Sequence, residues 1–378
     1  MRILIVGGGI GGLTAAHALG NAGFEVRVFE KMPASEATGA GIWIPPNGMK
    51  VLAKLDLAEA AIARGVELDE VALIAGKGQV LGQQDMAAVK ADHGFKILSI
   101  ARAKLHQTML ENLSEVHFDQ CLETIEEKPG CVVLRFESGL EVDGDLVIGA
   151  DGLNSKTREL VFGSMPLRYS GQTCWRGMAN IEGLDFLDRQ GREIWVDALR
   201  FGFSRVDETQ AYWFAAKKAP RNQKIPAEKL RDHLLETFAA FPEMVGQLIK
   251  ATPNDRFLHH DLLDLKPFRP WATARVALLG DAAHPMTPNL GQGGAQAMVD
   301  AYVLAKILGQ SGALENKLQQ YEARRYRITA PMVRQSDMFG KLAVWRNPLA
   351  VWFRNVCMKA MPQSLLQKQL AKAYAVED

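Results

Sequence analysis

The chain has 378 residues, 48% hydrophobic and 23% charged, a balance ordinary for a soluble globular protein with material for two or three domains. Its 44 basic and 43 acidic residues leave a net charge of +1, which supplies no global field for nucleic acid or an anionic surface. Cys121, Cys131, Cys174 and Cys357 show neither CxxC spacing nor the density of a disulfide framework, which excludes a zinc cluster and makes a reducing cytoplasm the expected setting.

The first predicted strand, Ile3-Leu4-Ile5-Val6, is too short an apolar run for a signal peptide and leads into Gly7-Gly8-Gly9-Ile10-Gly11-Gly12. Leu13, Ala15, Ala16, Ala18 and Leu19 continue with helical spacing, and Glu25 to Phe29 form a second predicted strand. The glycines therefore lie inside a strand, turn, helix, strand unit, the context that a dinucleotide fingerprint requires. Gly7 permits the sharp turn, Gly9 lets the backbone approach a pyrophosphate, and Gly12 lets the helix pack closely on the strand. Glu30 follows Gly12 by eighteen residues, near the offset of a carboxylate that takes the hydroxyls of an unphosphorylated ribose, as in FAD or NAD.

A buried-strand pattern at Leu146-Val147-Ile148 precedes Gly149-Ala150-Asp151-Gly152-Leu153-Asn154-Ser155-Lys156-Thr157-Arg158. Asp151 is placed to cap the following helix, with Arg158 two turns on; a plain strand-to-helix turn is an equal reading of these residues alone. Residues from about 168 to 217 alternate as strands, and those from about 227 to 250 carry a helical pattern. Within the next strand, His259, His260 and Asp261 point to alternate faces, so they do not converge on one metal ion, and no metal site is expected.

A third strand-to-helix unit runs through Arg275-Val276-Ala277-Leu278-Leu279, the turn Gly280-Asp281-Ala282-Ala283-His284, and a helix from near Gly293. The positive end of that helix falls beside Gly291, Gly293 and Gly294, suited to electron-rich or anionic cofactor atoms, and Asp281 is placed to accept a ribityl hydroxyl. Finally Asn347-Pro348 opens an amphipathic helix in which Leu349, Trp352, Phe353, Val356 and Ala360 recur at helical spacing. Packing on the nucleotide-binding domain is its expected fate; weak interfacial contact with a membrane is the alternative.

Together the three motifs closely resemble the signature set of the flavin-dependent group A monooxygenases, the fold of para-hydroxybenzoate hydroxylase, over nearly the whole chain. The resemblance implies an α/β protein with a Rossmann-like FAD-binding domain at 1–70, 98–167 and 258–340. An inserted mixed β-sheet with helices at 71–97 and 168–257 then binds substrate, and 341–378 is a C-terminal helical segment. It implies that Lys31 joins Glu30 in cofactor binding, that Arg102 contacts the flavin, that Gly41 and Ile42 pass close to the isoalloxazine, and that Pro288 lies near its reactive edge. Arg200 and Tyr212 fall where related urate hydroxylases carry an arginine and a tyrosine that act on an anionic or phenolic substrate.

The activity so implied is an NADH- or NADPH-dependent, O2-dependent hydroxylation or epoxidation of a small aromatic or lipophilic molecule by way of a flavin C4a-hydroperoxide. The absence of a second GxGxxG leaves no separate nicotinamide domain. A monomer or homodimer is expected. A flavin-dependent reductase or oxidase on the same fold, or a non-catalytic flavin-binding sensor, are the alternative readings, because fold alone does not fix function.

Overall fold

The computed structural model describes residues 1–34, 39–76, 78–184, 189–360, 362, 368 and 370–376. Its first sheet is five-stranded and wholly parallel, in the order Val276–Leu278, Leu146–Gly149, Arg2–Val6, Glu25–Phe29 and Val116–His117. Ile3, Leu4, Ile5, Leu146, Val147 and Ile148 are buried, as expected where a parallel sheet is covered on both faces. The helices Ile10–Asn21 and Gly293–Leu308 pack together over one face, and a three-stranded meander, Leu122–Lys128, Cys131–Phe136 and Glu141–Gly144, contributes to the core on the other.

The second large sheet has seven strands in the order Leu258–Asp264, Arg168–Asn180, Gln210–Lys218, Leu199–Arg205, Gln190–Val196, Glu70–Ala75 and Gln79–Asp85. Only Gln190–Val196 with Glu70–Ala75 is parallel, so the sheet is mixed. Alternation along its strands separates two faces. Trp175, Phe201, Phe203 and Trp213 face the helices Ala227–Thr237 and Glu243–Lys250 and make a separate core, with Trp213 Nε1 donating to Thr252 Oγ1 at 2.8 Å. The opposite register carries Arg176, Arg200, Ser204, Tyr212 and Phe214, and this face meets the nucleotide domain. There Trp43 Nε1 donates to Ser204 Oγ at 2.7 Å, tying the strand Gly41–Ile44 to the sheet.

Two boundaries expected from the sequence are corrected. Leu258–Asp264 pairs antiparallel with Arg168–Asn180, so this strand belongs to the seven-stranded sheet and the chain returns to the nucleotide domain only after Asp264. The helix Leu314–Ala343 runs through the expected break at 341. The C-terminal helix Pro348–Lys359, capped by Asn347 Oδ1 accepting from the Leu349 and Ala350 amides, also departs from expectation. It packs on the strand Gln79–Asp85 at the edge of the seven-stranded sheet rather than on the nucleotide domain, and its apolar stripe faces outward. Arg354 is its buried residue: Nη1 donates to the Leu342 and Ala343 carbonyls at 3.0 and 3.2 Å, closing the end of the preceding helix.

Candidate active site

The three glycine-bearing motifs converge at the ends of the parallel strands. Gly7 has φ +107°, and a side chain there would run into the Ala150 carbonyl of the second motif at 2.5 Å. A Cβ on Gly12 would lie 1.8 Å from the Gly7 oxygen, so helix and turn are in contact, whereas one on Gly9 would meet nothing within 4 Å. Gly9 thus faces open space at the start of the helix Ile10–Asn21, which has no side-chain cap and no acidic residue in its first turn. Glu30 borders the same turn, accepting from the Gly8 amide at 2.6 Å through Oε2 and the Met32 amide at 2.9 Å through Oε1. Lys31 is exposed beside it.

The second and third motifs are joined to each other. Asp151 accepts from the Thr157 amide at 2.8 Å and from Thr157 Oγ1 at 3.0 Å, holding the start of the helix Lys156–Phe162, which Ser155 caps. Arg158 then reaches across, Nη1 donating to the Ala282 carbonyl at 3.0 Å and Nη2 to Leu153 at 2.7 Å. Behind the third motif lies a buried network unforeseen from sequence. Asp300 accepts from the Gly280 amide at 2.9 Å, contacts His284 Nε2 at 2.6 Å and pairs with Arg325 Nε at 2.5 Å. Burial alone would raise the Asp300 pKa, but His284 and Arg325 outweigh it and bring it down to about 2.

Asp281 and Arg102 are solvent-accessible yet enclosed by protein, the signature of side chains lining a deep cleft. Burial raises the Asp281 carboxyl above the ordinary carboxylate range, against the pull of His284, Arg102 and Arg158, and burial lowers Arg102. The segment around Gly41 is wedged between the two sides of this cleft: a Cβ on Gly39 would strike Arg102, and one on Gly41 would strike the Tyr212 ring at 2.4 Å. Ile42 meets the start of the helix Gly293–Leu308, its Cδ1 3.3 Å from where a Gly294 Cβ would stand. That helix also begins without a side-chain cap; Gly291, which faces open space, precedes it, and Gly293, beside Asp281, opens it.

The cleft therefore has two uncapped helix N-termini, a backbone surface free of side chains at Gly9 and Gly291, and polar lining at Asp281 and Arg102. Among the described residues the buried Asn47 Oδ1 also lacks a hydrogen-bond partner. These features fit a long, phosphate-bearing dinucleotide. Residues 1–336 match the family model described as an FAD binding domain.

The chain belongs to this family. It is similar to the aurachin C monooxygenase/isomerase of Stigmatella aurantiaca, 35% identical over 366 residues that cover 96% of this chain and 94% of that protein. It is also similar to the 2-heptyl-3-hydroxy-4(1H)-quinolone synthase of Pseudomonas aeruginosa strain UCBPP-PA14, 31% identical over 373 residues covering 96% and 95%. Among solved structures, Klebsiella pneumoniae HpxO complexed with FAD and uric acid superposes with a TM-score of 0.91 at 28% identity, covering 99% of this chain and 96% of that one. The protein is an FAD-dependent monooxygenase.

The seven-stranded sheet places the two candidate substrate residues on one face, where Tyr212 pairs across from Ser204 and Arg200 from Ala216. Tyr212 is buried, and burial pushes its hydroxyl up to about 12 although the Arg176 guanidinium pulls the other way. Arg200 is buried too, and it is paired. Nε donates to Glu193 Oε1 at 2.7 Å, and Nη1 donates to Asn289 Oδ1. Trp195 Nε1 donates to the same Glu193 oxygen at 2.7 Å. Pro288 opens a short 3-10 turn, Pro288–Leu290, whose Asn289 is fixed by Nδ2 donating to Thr287 Oγ1 and to the Ser336 carbonyl, both at 2.9 Å. Sequence reasoning missed Arg176, Glu193 and Asn289; the strand registers place Arg176 and Glu193 on the same face as Tyr212.

Proposed function

We propose that the enzyme takes hydride from NADH or NADPH and oxygenates a neutral, planar heteroaromatic that carries an apolar chain, of the 4-quinolone type. The observation that carries this reading is the Glu193–Arg200 pair at 2.7 Å. A guanidinium already compensated by a carboxylate offers little to an anion, whereas donor and acceptor side by side suit a ring bearing both N–H and C=O. The similarity over nearly the full chain to aurachin C monooxygenase and to 2-heptyl-3-hydroxy-4(1H)-quinolone synthase supports the same substrate class.

Bound FAD supplies hydride acceptance and oxygen activation, and this chain's residues do the rest. The amides after Gly7, Gly9 and Gly12 cradle the pyrophosphate, Glu30 with Lys31 beside it takes the ribose end, and Asp281 takes ribityl hydroxyls. Arg102, Gly41 and Ile42, with the amides of Gly291, Gly293 and Gly294, would hold the flavin ring. Asp151 holds the start of the second motif's helix, and Arg158 keeps that motif closed on the third. Tyr212, still protonated at neutral pH, donates to the substrate, Arg200 and Glu193 fix its polar edge, and Pro288 keeps the reacting ring apolar and dry on the flavin side.

Aerobic oxidation of NADH and NADPH by the FAD-loaded protein is to be followed with 2-alkyl-4(1H)-quinolones, urate and salicylate, with product masses recorded. Stimulation by the quinolones, with one oxygen atom gained, is expected. Turnover of urate or salicylate alone would overturn the substrate class while leaving the monooxygenase intact.

A further inference from the structure

The stripe read from the sequence of the C-terminal helix is left uncovered. Leu349, Trp352, Phe353 and Val356 are 78%, 64%, 60% and 43% exposed, and their spacing puts them on one face of Pro348–Lys359. Trp345, at the turn before the helix, is exposed as well. Large apolar side chains clustered in this way mark an interaction surface.

Charge says what the surface meets. From Trp345 to Ala360 the sequence has Arg346, Arg354 and Lys359 and no Asp or Glu, in a chain whose net charge is only +1. Arg346 and Lys359 are exposed; Arg354 is turned inward. A second copy docked face to face would set these cations against their own like, whereas anionic headgroups complement them. Aromatic and aliphatic residues on one face with basic residues around it is the composition of a helix lying in a membrane interface. Among the described residues no helix is long and apolar enough to cross a membrane, so the contact is peripheral.

A cavity of about 700 Å³ adds an independent reason. It lies between this helix and the edge of the seven-stranded sheet, lined in part by Trp345, Val351, Trp352 and Val196, and Trp195 forms one of its walls. The Trp195 indole donates to Glu193, the partner of Arg200, so this one side chain stands between the cavity and the substrate residues. We propose that the face formed by Leu349, Trp352, Phe353 and Val356, with its basic surround, seats the enzyme on an anionic phospholipid surface. In that pose the cavity opens beside the lipid, from which a molecule with an apolar chain enters. The docking face stands on exposure and charge and does not depend on the quinolone reading.

The test is flotation of the FAD-loaded full chain with vesicles of phosphatidylcholine alone and of phosphatidylcholine with about one third phosphatidylglycerol, at low and high salt. Binding at least about tenfold stronger to the anionic vesicles, weakened by salt, is expected. Leu349→Glu with Phe353→Glu should lower it about tenfold or more while FAD content, circular dichroism and turnover of a water-soluble substrate stay unchanged. Arg346→Glu with Lys359→Glu should remove the preference for anionic lipid. No flotation with either vesicle, or flotation that Leu349→Glu with Phe353→Glu does not reduce, would overturn the proposal. So would a dimer seen by light scattering that these substitutions dissolve in the absence of lipid.

Discussion

His284 Nε2 lies 2.6 Å from Asp300 Oδ2, and through that contact the turn of the third motif is anchored to the helix that follows it. The same carboxylate holds the Gly280 amide and Arg325, so a single buried anion fixes the backbone that carries Asp281 into the cleft. Asp300→Asn should therefore cost about 3–5 kcal/mol, because it leaves Arg325 buried without its charge partner. Thermal melts of apo and FAD-loaded protein measure this, and the variant should also bind FAD more weakly. A loss under about 1 kcal/mol would mean that the network is not a structural anchor.

The depressed Asp300 pKa sets a pH dependence. A carboxyl lowered from 3.8 to about 2 on folding contributes stability that is full above its unfolded value and is lost as pH falls through the folded one. Wild-type stability should thus fall between about pH 4 and pH 2, and Asp300→Asn should lack that component of the fall. Parallel acid titrations followed by circular dichroism make the comparison.

The glycines of the first motif should separate into two kinds. Gly9→Ala projects a methyl group into open space in the cleft, so the apo protein should melt as wild type does while its Kd for FAD rises about tenfold or more. Gly12→Ala forces helix and turn apart at a 1.8 Å contact and should lower both stability and FAD binding. Equal effects of the two substitutions on apo stability would contradict the distinction.

Substrate selection should respond to Glu193. Glu193→Gln strips Arg200 of its compensating charge, so binding of an anionic ring such as salicylate should improve relative to a neutral quinolone by about tenfold. Tyr212→Phe should lower kcat/KM without exposing a new ionisation. With its hydroxyl at about 12, wild-type Tyr212 contributes no inflection to a pH profile between about 6 and 9. An inflection in that range that disappears in Tyr212→Phe would contradict its protonated role.

What could be read from the sequence was local. The turn at Gly7, the helix that starts at Ile10 and the carboxylate of Glu30 lie within one strand, helix, strand unit, and their spacing is enough to define it. Tyr212 and Arg200 were singled out by resemblance to urate hydroxylases, while the strand alternation around them did not say which face turns inward. Asp300 with Arg325, Arg158 with Ala282 and Arg200 with Asn289 were hidden because each pair joins residues remote in sequence, through contacts that only the packed elements create. The C-terminal helix divides the same way. Its period revealed an apolar face at Leu349, Trp352, Phe353 and Val356, but periodicity does not say what covers a face, and the expected packing on the nucleotide domain was wrong for that reason.

The most direct measurement is mass spectrometry of the product formed by the FAD-loaded enzyme from a 2-alkyl-4(1H)-quinolone and NADH or NADPH under isotopically labelled O2. One labelled oxygen atom in the product, with one nicotinamide oxidised per product formed, is the predicted result. Oxygen drawn from water, or nicotinamide oxidation that yields only hydrogen peroxide with every substrate tried, would contradict the account of this protein as a monooxygenase.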